Sequence, residues 1–212
     1  MTRQGVLLVV SGPSGVGKGA VIGELLAGRP EVAKSVSCST RSPRPGEIDG
    51  IDYHFVTPAE FERMRDGGEL LEWATVHQDL QYGTPRGPVE AALAAGQDII
   101  LEIDYQGAQS VREIMGERAA FVFIAPPRWE DLVERLKGRS TESPEATAKR
   151  LASAIREFEA LVNLNLFEYL IINDRLAIAV SELEAILLAE RQKLERLDWR
   201  PFVAGLLEEA GK

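Results

Sequence analysis

Five consecutive apolar residues, Val6-Leu7-Leu8-Val9-Val10, run directly into Ser11-Gly12-Pro13-Ser14-Gly15-Val16-Gly17-Lys18, and this junction constrains the fold more than any other stretch of the chain. An unbroken apolar run of this length reads as a strand covered on both faces, the condition of a strand inside a parallel sheet. The glycines after it form a turn. From Lys18 to Ala27 the apolar spacing is helical, with Gly28 and Pro30 as stop signals. Strand, glycine turn and helix together open a βαβ unit. Within the turn, four residues separate Gly12 from Gly17, and Lys18 follows at once. Glycines there let backbone N–H groups turn inward around phosphate oxygens, and the helix adds its positive end. Gly12, Pro13, Ser14, Gly15, Val16, Gly17, Lys18 and Gly19 are therefore expected to bind a nucleotide's phosphates, with Lys18 reaching the β- and γ-phosphates. The strict form of this motif places Ser or Thr directly after the lysine, where the hydroxyl ligates Mg²⁺. Here Gly19 and Ala20 stand instead. Mg²⁺ is expected to be held mainly by nucleotide oxygens and water, with an acidic side chain nearby.

The rest of the chain alternates strand and helix around one irregular stretch. Strands are expected over Ile99 to Asp104, Ala120 to Ala125 and Tyr169 to Asn173. Helices are expected over Pro88 to Ala95, Ala108 to Met115, Pro127 to Lys137, Pro144 to Val162 and Ala177 to Leu194. Between these and the first unit, Val36 to Thr40, Ile51 to Val56 and Leu70 to Val76 read as strand segments. Thr57-Pro58-Ala59-Glu60 reads as a capped helix start, and Asp66-Gly67-Gly68 as its stop. The pattern predicts an α/β fold: a parallel sheet flanked by helices, with an inserted mixed α/β segment. Ligands in such folds bind beyond the carboxyl ends of strands, where the 11–19 turn, Asp104 and Asn173-Asp174 fall. The tail, Asp198 to Lys212, is amphipathic and is expected to pack on the body or on another subunit.

Composition narrows the partners. Lys and Arg total 24 against 33 Asp and Glu, a formal charge of −9, which argues against a general DNA or RNA binder. A small anionic ligand needs only a few local cations. A single cysteine, Cys38, excludes an intrachain disulfide and a paired-cysteine metal site. No apolar run is long enough to span a membrane or to serve as a secretory leader, so a cytoplasmic protein is the expectation.

Several further segments stand in a recognisable order: Ser37-Cys38-Ser39-Thr40-Arg41-Ser42-Pro43-Arg44-Pro45-Gly46-Glu47, Gly50-Ile51-Asp52-Tyr53, Leu71-Glu72-Trp73-Ala74, Glu102-Ile103-Asp104-Tyr105-Gln106-Gly107-Ala108 and Ile124-Ala125-Pro126-Pro127. With the 11–18 turn they resemble guanylate kinases over about residues 5–190. The resemblance implies a P-loop kinase that transfers the γ-phosphoryl group of ATP to GMP, with Mg²⁺ as cofactor. It implies a core of residues 1–36 and 85–212, a GMP-binding insertion over 37–84 and a lid at about 138–150. Arg41, Arg44, Tyr53 and Tyr82 match the groups that grip the GMP phosphate; two guanidiniums on a proline-stiffened loop suit that task. Glu72 matches the acid that reads guanine, Ser37 the hydroxyl beside it, and Thr84 a small hydroxyl residue of the same site. A carboxylate there can accept both N1–H and the exocyclic amine, which adenine lacks. Glu102 and Asp104 match acids near the acceptor nucleotide and the metal; capping or ion pairing is the ordinary alternative. Arg135, Arg139 and Arg150 match lid arginines around the transferring phosphoryl group, where cations offset the charge that develops. Asn173 and Asp174 match the segment near the adenine of ATP.

Two segments depart from the family pattern. His77 to Gln81 replaces the usual residues before Tyr82-Gly83-Thr84 and is one residue longer, and Ser140 stands where the lid has glycine. A non-catalytic module of the same kind that binds phosphopeptides is one alternative, against which Lys18 speaks. A kinase for another small phosphate, such as a ribose bisphosphate, is the other, against which Glu72 with Ser37 speaks. Monomer and homo-oligomer are both compatible with the sequence.

Overall fold

A computed structural model describes residues 3–76, 80–138 and 144–211. The chain runs β1 (Leu7–Ser11), α1 (Lys18–Gly28), β2 (Ala33–Lys34), β3 (Cys38–Ser39), β4 (His54–Phe55), α2 (Pro58–Asp66), β5 (Leu70–Val76), β6 (Leu80–Pro85) and α3 (Arg86–Ala94). It continues through β7 (Ile99–Glu102), α4 (Tyr105–Met115), β8 (Ala119–Ala125), α5 (Trp129–Lys137), α6 (Pro144–Asn163), β9 (Tyr169–Ile172), α7 (Leu176–Arg191) and α8 (Arg200–Glu209). Among the described residues no helix is long and apolar enough to cross a membrane.

Five strands form a wholly parallel sheet in the order β2-β7-β1-β8-β9. β1 lies in the middle, and the chain winds to β7 on one side of it and to β8 on the other. The loop after β1 therefore opens at the switch point where such sheets bind ligands. The apolar run of β1 divides by alternation. Val6, Leu8 and Val10 pack with α1, α5, α6 and α7, while Leu7 and Val9 pack with α4 and with Val89 of α3. Both faces are buried, as an unbroken apolar strand requires.

The irregular stretch folds as a second sheet, β4-β3-β6-β5, with α2 against it. β6 is antiparallel to β3 and to β5, and β4 is parallel to β3. Pairing in β5 shifts between Leu70 and Glu72, so that Leu70 faces Pro85 and Glu72 faces Thr84. The extra residue is Leu71, and the bulge re-aims its neighbours. Leu70 turns into a small core with Cys38 and Phe61, whereas Leu71 enters the main core beside Leu7 and Val9. Three consecutive buried residues result, the third being Glu72.

Differences from expectation are local. Thr57 caps α2 as foreseen, accepting from the Glu60 N–H. α4 starts at Tyr105 instead of Ala108, because Asp104 caps it. α7 stops at Arg191, and a separate 3₁₀ turn covers Leu194–Arg196. β2 and β6 were not foreseen from the sequence. The tail is helical, but it leaves Phe202, Leu206 and Leu207 exposed instead of packing them on the body.

Candidate active site

The loop between β1 and α1 is a backbone cradle. Gly12, Gly15 and Gly17 all have positive φ, at 135°, 86° and 99°. At Gly12 a Cβ would stand 2.1 Å from the Ile124 carbonyl oxygen of the neighbouring strand, so both conformation and space exclude a side chain. Gly12→Ala is expected to lower stability by about 2 kcal/mol or more, read from urea unfolding. Lys18 folds over the loop, donating to the carbonyls of Gly12 and Pro13.

Three side chains from the β8–β9 half of the fold brace this cradle. Arg135 of α5 donates to the Val16 carbonyl at 3.1 Å and to the Asn173 carbonyl at 2.9 Å. The buried Asn173 amide donates to the same Val16 carbonyl at 2.7 Å. Arg150 of α6 donates to the Ser14 hydroxyl at 2.9 Å. Arg135 thus lies on α5, ahead of the expected lid, and is committed to backbone carbonyls. Asp174 is exposed at the end of β9. Arg139 and Ser140, like His77 to Asp79, lie outside the described residues.

The second sheet carries the other set of expected site residues. The side chain of Arg41 is 9% exposed and forms a two-pronged pair with Glu47, at 2.6 and 2.7 Å. Hydrogen bonds from the Arg41 guanidinium, then from the Arg44 N–H, hold the Glu47 carboxyl down at about 2. The Arg41 guanidinium lies over the rings of Tyr53 and Phe55, and its buried Nε has no hydrogen-bond partner among the described residues. Tyr82 packs edge-on to Tyr53 with centroids 6.0 Å apart. Arg41, Tyr53 and Tyr82 therefore converge, despite the departure just before Tyr82. Arg44 is exposed on the loop, and its N–H donates to Glu47 at 2.7 Å.

Glu72 is not the surface strand residue that spacing alone would give. It is 6% exposed and accepts from the Thr84 hydroxyl at 2.6 Å. The hydroxyl on Glu72 is thus Thr84's. Ser37, expected beside it, is half-buried, and its carbonyl accepts from the His54 N–H. Burial pushes the Glu72 carboxyl up to about 7, with the Thr84 bond opposing and the nearby Asp104 charge adding. Asp104 takes the ordinary capping role, accepting from the Gly107 N–H at 2.9 Å, yet its charge bears on both Glu72 and Glu157. Glu102 pairs with Lys34 at 2.9 Å. Its two oxygens stand 3.8 and 3.9 Å from where a Cβ on Gly19 would be. The carboxylate therefore lies on the side where the strict motif would carry its hydroxyl. Among the described residues no three acids, histidines or cysteines form a cation cage. This donor set fits an ion that arrives on a nucleotide with its own water better than one held by the protein alone.

Glu157 of α6 escaped the sequence argument. It is buried, and burial pushes its carboxyl up to about 7, with Lys18 opposing and Asp104 adding. The available signal was an acid three residues after Ala154 and one before Phe158, on the apolar side of a helix. Glu72 and Glu157 together predict a pH effect. A carboxyl raised on folding binds its proton more tightly folded than unfolded. Its contribution to stability is full below the ordinary value of 4.5 and is lost as pH rises through about 7. The thermal midpoint is expected to fall between about pH 5 and pH 8, and Glu72→Gln to flatten that slope in scanning calorimetry.

Comparison with known proteins bears directly on this arrangement. The family model described as guanylate kinase matches residues 4–190. The chain belongs to the guanylate kinase family. It is 52% identical over 179 residues to a guanylate kinase of Cutibacterium acnes, covering 84% of this chain and 88% of that one. It is 48% identical over 211 residues to a guanylate kinase of a Chelativorans species, covering 98% and 94%. The crystal structure of the Anaplasma phagocytophilum guanylate kinase superposes with a TM-score of 0.76 at 35% identity, over 95% of this chain and 94% of that one. A gluconokinase from Sinorhizobium meliloti, 21% identical with a TM-score of 0.50 over 92% of this chain and 98% of that one, shares the fold alone. Guanylate kinase relatives thus align with both sheets, the second included.

Proposed function

We propose that the protein is a guanylate kinase that transfers the γ-phosphoryl group of ATP to GMP, giving ADP and GDP. The observation that carries this is the buried Glu72–Thr84 pair, whose carboxyl feels the Asp104 charge beyond the end of β7, together with the glycine cradle and its lysine beyond the end of β1. The cradle and Lys18 bind the ATP phosphates, with Arg150 brought to the loop through Ser14. Arg135 and Asn173 position the loop by holding the Val16 carbonyl. Arg139 completes the cationic set as the resemblance implies, and Asp174 borders the adenine.

Opposite, Arg41, Arg44, Tyr53 and Tyr82 take the GMP phosphate. A phosphate oxygen can replace Glu47 on the Arg41 fork or use its unpartnered Nε. Glu72 accepts from the guanine edge with Thr84 and Ser37 beside it. Residues 37–84 then act as the GMP-binding unit, and residues around 138–150 as the lid. Glu102, with Asp104, would hold Mg²⁺ through its water. When bound, that ion neutralises charge on the β- and γ-oxygens. The chain's own task is to align the GMP phosphate with the γ-phosphorus and to exclude water from it. This chemistry suits a cytoplasmic enzyme of purine nucleotide metabolism.

The deciding experiment measures ADP release from ATP and Mg²⁺ with GMP, AMP, UMP and CMP as separate acceptors. Strong turnover with GMP alone is expected. Equal turnover with all four, or none with any, would overturn the proposal.

A further inference from the structure

Among the described residues, one buried carboxylate oxygen has no hydrogen-bond partner. Glu157 is 6% exposed in the middle of α6, and its Oε2 accepts no hydrogen bond from any described residue. Taking a carboxylate out of water without pairing it works against stability. Residues that break such a rule tend to mark functional positions.

The position is specific. Arg150, Ala154 and Glu157 are spaced by four and then three residues, so they share one stripe of the helix. One end of the stripe docks on the loop, where Arg150 donates to the Ser14 hydroxyl. Its middle, Ala154, is fully buried in the core. The charges that bear on Glu157 are Lys18 first, then Asp104 at the cap of α4 and Arg156 on its own helix. Lys18 spends two of its three N–H donors on the Gly12 and Pro13 carbonyls. Its third has no acceptor among the described residues. A spare donor on the cradle lysine and a spare acceptor on a helix that docks on the same loop thus act on one another electrostatically.

We infer that Glu157 is a positioning residue for phosphoryl transfer: its free oxygen takes the third N–H of Lys18, directly or through one water, when the ammonium leaves the loop carbonyls for the nucleotide. Lys18 is then held from α6 while its other donors face phosphate oxygens. The ammonium keeps its proton and no bond is made or broken in this step. The inference rests on the kinase proposal, but it can fail separately.

The test compares the wild type with Glu157→Gln, Glu157→Leu and Glu157→Asp. Thermal midpoints, kcat and KM for each substrate, and calorimetric affinity for MgATP without GMP would be measured. In Glu157→Gln and Glu157→Leu, kcat/KM for ATP should fall roughly 10- to 100-fold, the size of one charge-assisted hydrogen bond. The KM for GMP should stay unchanged, the thermal midpoint should hold or rise, and Glu157→Asp should recover part of the loss. A merely structural glutamate would give the reverse: a lower midpoint, with ATP and GMP affinities falling together. That result would overturn the inference, and so would ATP kinetics within about twofold of wild type in Glu157→Gln. Absent GMP turnover in the wild type would instead remove the kinase proposal. The MgATP affinities of the variants would then decide the role of Glu157, equal values refuting it.

Discussion

Lys18→Ala is expected to leave a folded protein with kcat reduced roughly 10²- to 10³-fold, the usual consequence of removing one group that meets developing charge. The fold should survive, because Lys18 is half-buried and, among the described residues, its bonds go to the Gly12 and Pro13 carbonyls of its own loop. Those carbonyls gain water when the lysine is gone. The cradle itself depends on the three positive-φ glycines and on the Arg135 and Asn173 bonds to Val16, none of which involves Lys18. Loss of rate with an unchanged thermal midpoint and unchanged GMP affinity is the expected combination. Full activity in Lys18→Ala would mean that the loop does not act on a phosphoryl group at all.

Glu72→Gln is expected to lower the kcat/KM ratio of GMP to AMP by about 10², while the protein becomes more stable near neutral pH. The amide has the volume of the acid and keeps one oxygen for the Thr84 hydroxyl. It cannot accept from both guanine donors, because its second atom is itself a donor. Adenine lacks the N1–H and the 2-amine, so AMP turnover should change far less. The stability gain follows from removing a carboxyl that burial already drives toward its neutral form. Steady-state assays with both monophosphates would settle the matter. An unchanged ratio would take Glu72 out of base selection.

Where local chemistry determined an element, the sequence revealed it. The Thr57 cap with Glu60, and the run from Leu70 to Val76, fold where their residues place them. β2 is two residues long, and β6 carries Gly83, Thr84 and Pro85, so neither has an alternation strong enough to read. Both form because other strands supply their partners. The Leu71 bulge was equally silent, since only the pairing with β6 shows which leucine is extra. In the site, the glycine turn and Lys18 were legible from residue type and spacing. Arg41 and Glu72 needed the family resemblance, because a loop arginine and a strand acid are by default solvated. The grip of Glu47 on Arg41, the preference of Glu72 for Thr84 over Ser37, and the burial of Glu157 are tertiary facts. Glu72 and Thr84 meet only because β5 and β6 pair, and the burial of Glu157 depends on what packs against α6.

Glu72 has little room on its far side. A Cβ on Gly107 would stand 2.6 Å from its Oε2, so the carboxylate rests against bare backbone in the first turn of α4. Anyone redesigning this enzyme for a different nucleobase would meet that wall first. A longer or branched replacement at 72 cannot be seated by repacking the strand. The helix opening has to be recut as well, and the Asp104 cap that anchors it is itself an acid whose charge bears on Glu72 and Glu157.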